Sequence, residues 1–157
     1  MSNKLTIEEI KQEILKSGKN PSYFLRNYAK ITHPVRGNIP FKTYPFQDEL
    51  LDKFRDHRFN AIAKARQLGI STIVAGYIAW TLLFYRDKNV LVMATKYSTA
   101  SNMVKKVKHI LANIPDWLNI SKVKVDNKNS FELSNGSVVK AIPTSADAGR
   151  SEAVSLL

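Results

Sequence analysis

The sequence predicts an α/β fold, and three stretches predict it. Ala61-Ile62-Ala63 is a short apolar run that leads through a basic turn into an apolar helix over 71–85. Val90-Leu91-Val92-Met93-Ala94-Thr95 is continuously apolar, as befits a strand buried on both faces of a parallel sheet. Over 98–113, Ala100, Met103, Val104, Val107, Ile110 and Leu111 recur at helical spacing, with Lys105, Lys106 and Lys108 off that face. Strand, loop, helix and strand in that order predict a βαβ unit with a right-handed crossover.

The turn after the first of these runs carries the chemistry. A tight turn with one glycine, then a helix opening on Ser71-Thr72, is the layout of a phosphate-binding loop. The first N–H groups of a helix lack intrahelical partners, and the helix dipole favours an anion there. Against the pattern G-x-x-x-x-G-K-[ST], Gly69 and Ser71 take the second glycine and the hydroxyl position. Ile70 replaces the lysine and Lys64 replaces the first glycine. The missing ammonium is the one that neutralises the β/γ-phosphates, but Lys64 and Arg66 lie just upstream, so the charge is displaced rather than lost. The expected cradle is therefore Lys64, Ala65, Arg66, Gln67, Leu68, Gly69, Ile70, Ser71 and Thr72. Lys64 would reach back to the phosphates, Arg66 would assist, and Ser71 would offer its hydroxyl to Mg²⁺. A solvated basic turn before a buried helix fits the same residues equally well.

The 157 residues suffice for one core, and 44% of them are hydrophobic. With no cysteine, disulfides and thiolate metal sites are excluded. His33, His57 and His109 stand apart from one another and read as surface or capping residues. The formal net charge is +11, and the excess gathers in and after the loop, where Asp87 is the one acidic residue over 60–110. Such a field suits a polyanion, either nucleotide phosphate or nucleic-acid backbone. Neither a signal peptide nor a transmembrane run is visible, and the helix over 71–85 is too short to span a bilayer.

Elsewhere the chain reads in order as follows. Thr6-Ile7-Glu8-Glu9 is a capping box that opens a helix ending by Gly18. Asn20-Pro21-Ser22 restarts the chain into a second short helix over 23–29. Residues 31–45, with four Pro or Gly, read as an extended connecting arm. A helix follows over 47–55. The amide of Gln47, just upstream of the loop, could read the edge of adenine, and Tyr44 or Phe46 could stack on the base. The plainer reading of Gln47 is a polar first-turn residue beside Pro45. Short strands are expected over 123–125, 131–133 and 138–142, with Asn135-Gly136 as a two-residue hairpin turn. A phosphate-loop enzyme also needs a strand ending in Asp and then Glu. Val123-Lys124-Val125-Asp126 is rejected for its mid-strand charge and following Asn127. Val154-Ser155-Leu156-Leu157 has the right start, so the carboxylates are expected beyond it.

With Gln47, the Lys64–Thr72 loop, the Asn135-Gly136 hairpin and the Asp147–Arg150 loop in order, the chain resembles the large terminase subunit of tailed bacteriophages over residues 40–157. It is similar to a deviant branch of that family, with Lys64, Arg66, Gly69 and Ser71 on the matching positions. Tyr44-Pro45-Phe46-Gln47 looks like the family's adenine-binding motif. The resemblance implies a P-loop NTPase core of the ASCE type, mainly parallel in its sheet and cut before the Walker B strand ends. A helical lead-in over 1–40 would precede this partial ATPase domain over 41–157. It also implies ATP and Mg²⁺ as ligands, and hydrolysis coupled to translocation of double-stranded DNA into the procapsid. Arg150 would be an arginine finger in trans, or else an ordinary loop arginine, with Arg66 the rival finger in cis. By the same resemblance the partners are the portal protein and the small terminase subunit. The full-length protein would act as a homo-oligomeric ring in the host cytoplasm during virion assembly, with no membrane involved. These residues alone are expected to bind ATP weakly and hydrolyse it little. The rivals are a superfamily-two helicase-like translocase, which Ile70 argues against, and a non-enzymatic basic DNA-binding module.

Overall fold

The structure, a computed structural model, describes residues 5–144 and 154–156. Helix α1 (Ile7–Lys19) opens on the expected capping box: Thr6 Oγ1 accepts from the Glu9 N–H, and the Glu9 carboxylate accepts from the Thr6 N–H at 2.7 Å. Helix α2 (Pro21–Tyr28) follows at once, with Asn20 Oδ1 accepting from the Tyr23 N–H at 3.0 Å. Pro21 occupies its first turn, where a missing N–H costs nothing.

The arm expected over 31–45 is in part a β-hairpin. Strands β1 (Lys30–His33) and β2 (Gly37–Pro40) pair antiparallel. Its prolines cost no central ladder bond, because Pro34 lies in the turn and Pro40 ends a strand of a two-stranded sheet. His33 Nδ1 accepts from the N–H groups of Val35 and Arg36, both at 3.2 Å, and so caps the turn. Helix α3 (Pro45–Asp56) then leads to the loop and to helix α4 (Ile70–Phe84).

Helix α4 is apolar nearly all round because it is covered nearly all round. Ile73, Ala75, Ile78, Ala79, Leu82 and Leu83 are all buried. Helix α2 comes so close that a Cβ on Gly76 would lie 2.7 Å from Leu25 Cδ2. Trp80 Nε1 donates to the Ser17 carbonyl of α1 at 2.8 Å. Phe24 and Leu25 of the lead-in thus share one core with α4.

Strand β3 (Asn89–Ala94), helix α5 (Tyr97–Ala112), a 3₁₀ turn (Asp116–Leu118) and strands β4 (Val123–Asn127), β5 (Ser130–Leu133) and β6 (Val138–Pro143) complete the order. The sheet runs β3-β6-β5-β4, with β3 and β6 parallel and the other two pairs antiparallel. On the free edge of β3, Leu156 forms a parallel bridge with Val90, where the sequence places the start of a further strand. The sheet of the described residues is therefore mixed, not mainly parallel. Two short hairpin-linked strands need no crossover and pair antiparallel by default.

A second correction concerns Ala61-Ile62-Ala63, which forms no strand. The edge of β3 is met by Leu156 instead, and Asn60 and Ile62 line an apolar cavity of about 610 Å³ with Tyr77, Val92, Met103 and Leu156. The first strand of the expected βαβ unit is thus absent among the described residues. A third concerns the hairpin turn. Leu133 N–H donates to the Ser137 carbonyl, so three residues form the loop, and Gly136 alone among them has positive φ (+83°). The reason is Asn135, whose Nδ2 donates to the carbonyls of Leu82 (2.8 Å) and Tyr85 (3.0 Å) and caps the end of α4. Asn135→Ala should cost about 1–2 kcal/mol in chemical denaturation, since the Leu82 carbonyl loses its partner whereas Tyr85 keeps Ser137 Oγ.

None of the described helices is long and apolar enough to cross a membrane. Between α1 and α2, the Glu13 carboxylate accepts from the hydroxyls of Tyr23 (2.7 Å) and Tyr28 and from Lys16 Nζ (3.0 Å). The Tyr23 bond first, then those from Tyr28 and Lys16, lower the Glu13 pKa from 4.5 to about 2. A carboxylate held low in the folded state stabilises it above the unfolded value and loses that contribution as pH falls through the folded one. Stability should therefore decline between about pH 4.5 and 2 partly through Glu13. Thermal melts of Glu13→Gln against the parent chain should show a shallower decline in that window. Parallel curves would contradict the assignment.

Candidate functional site: the turn before α4

The loop lies open at the surface, with residues 61–69 all exposed. Two of its residues are left-handed: Gln67 at φ +64° and Gly69 at +71°. Gly69 is the N-cap of α4, and its carbonyl accepts from the N–H groups of Thr72 and Ile73 at 2.9 and 3.0 Å. The N–H groups of Leu68, Gly69, Ile70 and Ser71 make no hydrogen bond within the described residues. Left-handed residues interleaved with others turn successive N–H groups toward one concavity, which is how a backbone builds an anion-binding nest. A left-handed glutamine is a strained choice that the sequence pattern does not reveal.

Gln47 is the residue that fixes this turn from outside. It is only 2% exposed, at the third position of α3. Its Oε1 accepts from the Tyr44 N–H at 3.0 Å, the return half of a capping box. Its Nε2 donates to the Leu68 carbonyl at 3.0 Å and ties α3 to the loop. Gln47 is thus the polar first-turn residue beside Pro45 of the plainer reading, and it also touches the loop. One N–H and one oxygen lone pair remain unused. Beside it, Tyr44 and Phe46 stack with rings 6° from parallel and centroids 5.9 Å apart, 63% and 44% exposed. They form a solvent-facing aromatic pair. Asp48 pairs with Arg26 and accepts from Thr43 Oγ1 at 2.7 Å, which anchors the start of α3 to α2.

The remaining expected residues fall into place unevenly. Ser71 is exposed in the first turn of α4, and its hydroxyl makes no hydrogen bond among the described residues. Thr72 is half-buried one residue further on. Ile70 is 8% exposed and turned into the core, so the position that holds lysine in the standard pattern does not face the loop. Lys64 Nζ lies 3.4 Å from the carbonyl of its neighbour Ala65 and is otherwise solvated. Arg66 has no partner among the described residues. No Asp or Glu occurs between Asp56 and Asp87, so both cations are unneutralised by sequence neighbours. Arg150 and the Asp147–Arg150 loop lie outside the described residues. Asp126, the rejected carboxylate, sits on the outermost strand β4 in an ion pair with Lys108 Nζ at 2.5 Å. No group of three His, Asp or Glu among the described residues could hold a metal ion.

Residues 61–154, more than half of the chain and including the whole of the turn, match the family model described as terminase large subunit, T4likevirus-type, N-terminal. The chain belongs to this family. It is thus part of the large subunit of a bacteriophage DNA-packaging terminase. The match begins at the loop's first apolar run, and the β1–β2 hairpin and α3 lie before it.

Proposed function

We propose that the turn from Gln67 to Ser71 binds the phosphates of ATP, and that this chain supplies the nucleotide cradle of an ATP-driven DNA-packaging motor with a P-loop core. The observation that carries the reading is the pair of left-handed residues, Gln67 and Gly69, running into α4 with four consecutive N–H groups unspent. In this reading Lys64 and Arg66 swing in from solvent to neutralise the β- and γ-phosphates. An arginine so placed stabilises charge on the transferring phosphoryl group. Tyr44 and Phe46 stack on the base, and Gln47 spends its remaining N–H on the adenine edge while holding Leu68. The free Ser71 hydroxyl would hold Mg²⁺ carried in by the nucleotide, and the ion would help neutralise the phosphate charge.

Hydrolysis by these residues should be slow. A general base must stand within hydrogen-bond reach of the attacking water, and Asp126 is committed to Lys108 at the far edge of the sheet. By the family's role, the motor would assemble as a homo-oligomeric ring with the portal protein and small terminase subunit, on double-stranded DNA, in the host cytoplasm. Arg150 is the proposed finger in trans. Calorimetric titration with MgATP tests the cradle. Lys64→Ala should weaken binding about tenfold or more, because an exposed but phosphate-facing cation is worth ~1.4 kcal/mol or above. Equal affinity in the two proteins would favour a basic DNA-binding module whose loop is only a turn.

A further inference from the structure

Lys105 and Lys106 line a cavity of about 330 Å³ together with Ile31 and Thr32 of β1, His109 of α5 and Thr72 of α4. The hairpin is clamped there: His109 Nε2 lies 3.2 Å from Thr32 Oγ1 and 3.1 Å from Asn38 Oδ1, and Asn38 Nδ2 donates to Asn113 Oδ1 at 2.5 Å. Thr32 and Asn38 are cross-strand partners next to the turn that carries Arg36. The charge on this face has one sign. No Asp or Glu occurs between Glu13 and Asp48, which spans the hairpin, or between Asp87 and Asp116, which spans α5. Among the described residues Lys108 is ion-paired, with Asp126, whereas Lys30, Arg36, Lys105 and Lys106 have no carboxylate partner. An ordinary solvated helix face interleaves its signs; this one is left unneutralised along two separate segments that the fold brings together.

We propose that the β1–β2 hairpin and the outer face of α5 form a docking surface for the phosphate backbone of duplex DNA, with Lys105, Lys106 and Arg36 as its contacts. The apolar floor of Ile31 and Ile110 and the exposed lysine stems suit a backbone gripped without reading bases, as packaging of any sequence requires. Because Thr72 is in the first turn of α4, the cavity also reaches the helix that carries the phosphate loop. The proposal rests on the duplex-DNA part of the function above and not on its nucleotide part.

Fluorescence anisotropy with a labelled duplex of about thirty base pairs, titrated with the full chain at several salt concentrations, tests it. Lys105→Ala/Lys106→Ala should weaken binding at least tenfold and reduce the slope of log K against log salt by about 1.8, two phosphate contacts at 0.9 each. Lys105→Arg/Lys106→Arg should bind as the parent does. Lys122→Ala/Lys124→Ala, which removes equal charge on β4 and the segment before it, should change the slope little. Equal losses in the two alanine pairs would overturn the surface and leave only diffuse attraction. Failure of the parent chain to bind duplex at all would overturn the DNA reading itself. Inorganic phosphate at constant ionic strength should not displace the duplex, and displacement would assign the cavity to a free anion instead.

Discussion

Gly69→Ala should abolish most nucleotide binding while leaving the protein folded. Two independent facts make glycine necessary there. At φ +71° a Cβ costs roughly 1–2 kcal/mol. The added atom would also lie 2.8 Å from Gln47 Nε2, which would have to shift and so disturb its bond to the Leu68 carbonyl. The turn would relax toward right-handed geometry and its N–H groups would diverge. The expected result is a rise of more than tenfold in the MgATP dissociation constant. Circular dichroism should be unchanged, since the loop is exposed and contributes little to the core. The two causes separate in a double variant: Gln47→Ala in the Gly69→Ala background removes the collision but not the strained φ. With magnesium tripolyphosphate as the probe, which has no adenine for Gln47 to meet, partial recovery of affinity relative to the single variant is expected, and further loss would show that the Gln47 tie to Leu68 outweighs the collision.

Trp80→Ala should produce the largest stability loss of any single substitution considered. Trp80 is 2% exposed, touches the rings of Tyr77, Phe84 and Tyr85, and donates its indole N–H across to the Ser17 carbonyl. Truncating a buried tryptophan costs about 3–5 kcal/mol, and the orphaned carbonyl adds to that. Against a typical domain stability of about 5–15 kcal/mol, the melting temperature should fall by roughly 10–20 °C. A scanning calorimetry shift of only a few degrees would mean that α1 is not docked on α4 through this residue.

Much of this architecture was legible because its signals are local. The Thr6/Glu9 box, the all-apolar α4 and the periodic α5 each announce themselves within a few residues, and each helix lies where expected to within two residues. The misses share a cause: they depend on what a segment meets in space. Ala61-Ile62-Ala63 is apolar enough for a strand, but a strand needs an edge, and Leu156 occupies the one beside β3. The 31–45 arm hides a hairpin because its prolines sit at the turn and at a strand end, where they forbid nothing. Asn135-Gly136 looks like a two-residue turn until Asn135 is seen capping α4 from the neighbouring strand pair. At the loop, residue types pointed to a glycine turn opening a helix, and Gly69 is the left-handed N-cap of α4 with Ser71 exposed in its first turn. Residue types could not reveal the left-handed Gln67, nor that Gln47 is tied to Leu68, because neither leaves a trace in spacing. The unneutralised face of α5 shows in the sequence as a lack of acids, but its meeting with the hairpin does not.

In the proposed cradle the N–H groups of Leu68 to Ser71 are the phosphate seat. The most direct measurement is a ¹H–¹⁵N correlation spectrum of the labelled chain titrated with a non-hydrolysable MgATP analogue. Those four amide resonances should move furthest and saturate together, with the Gln47 side-chain amide following. If they stay fixed while amides elsewhere respond and saturate, triphosphate binds in another place and the cradle is not one.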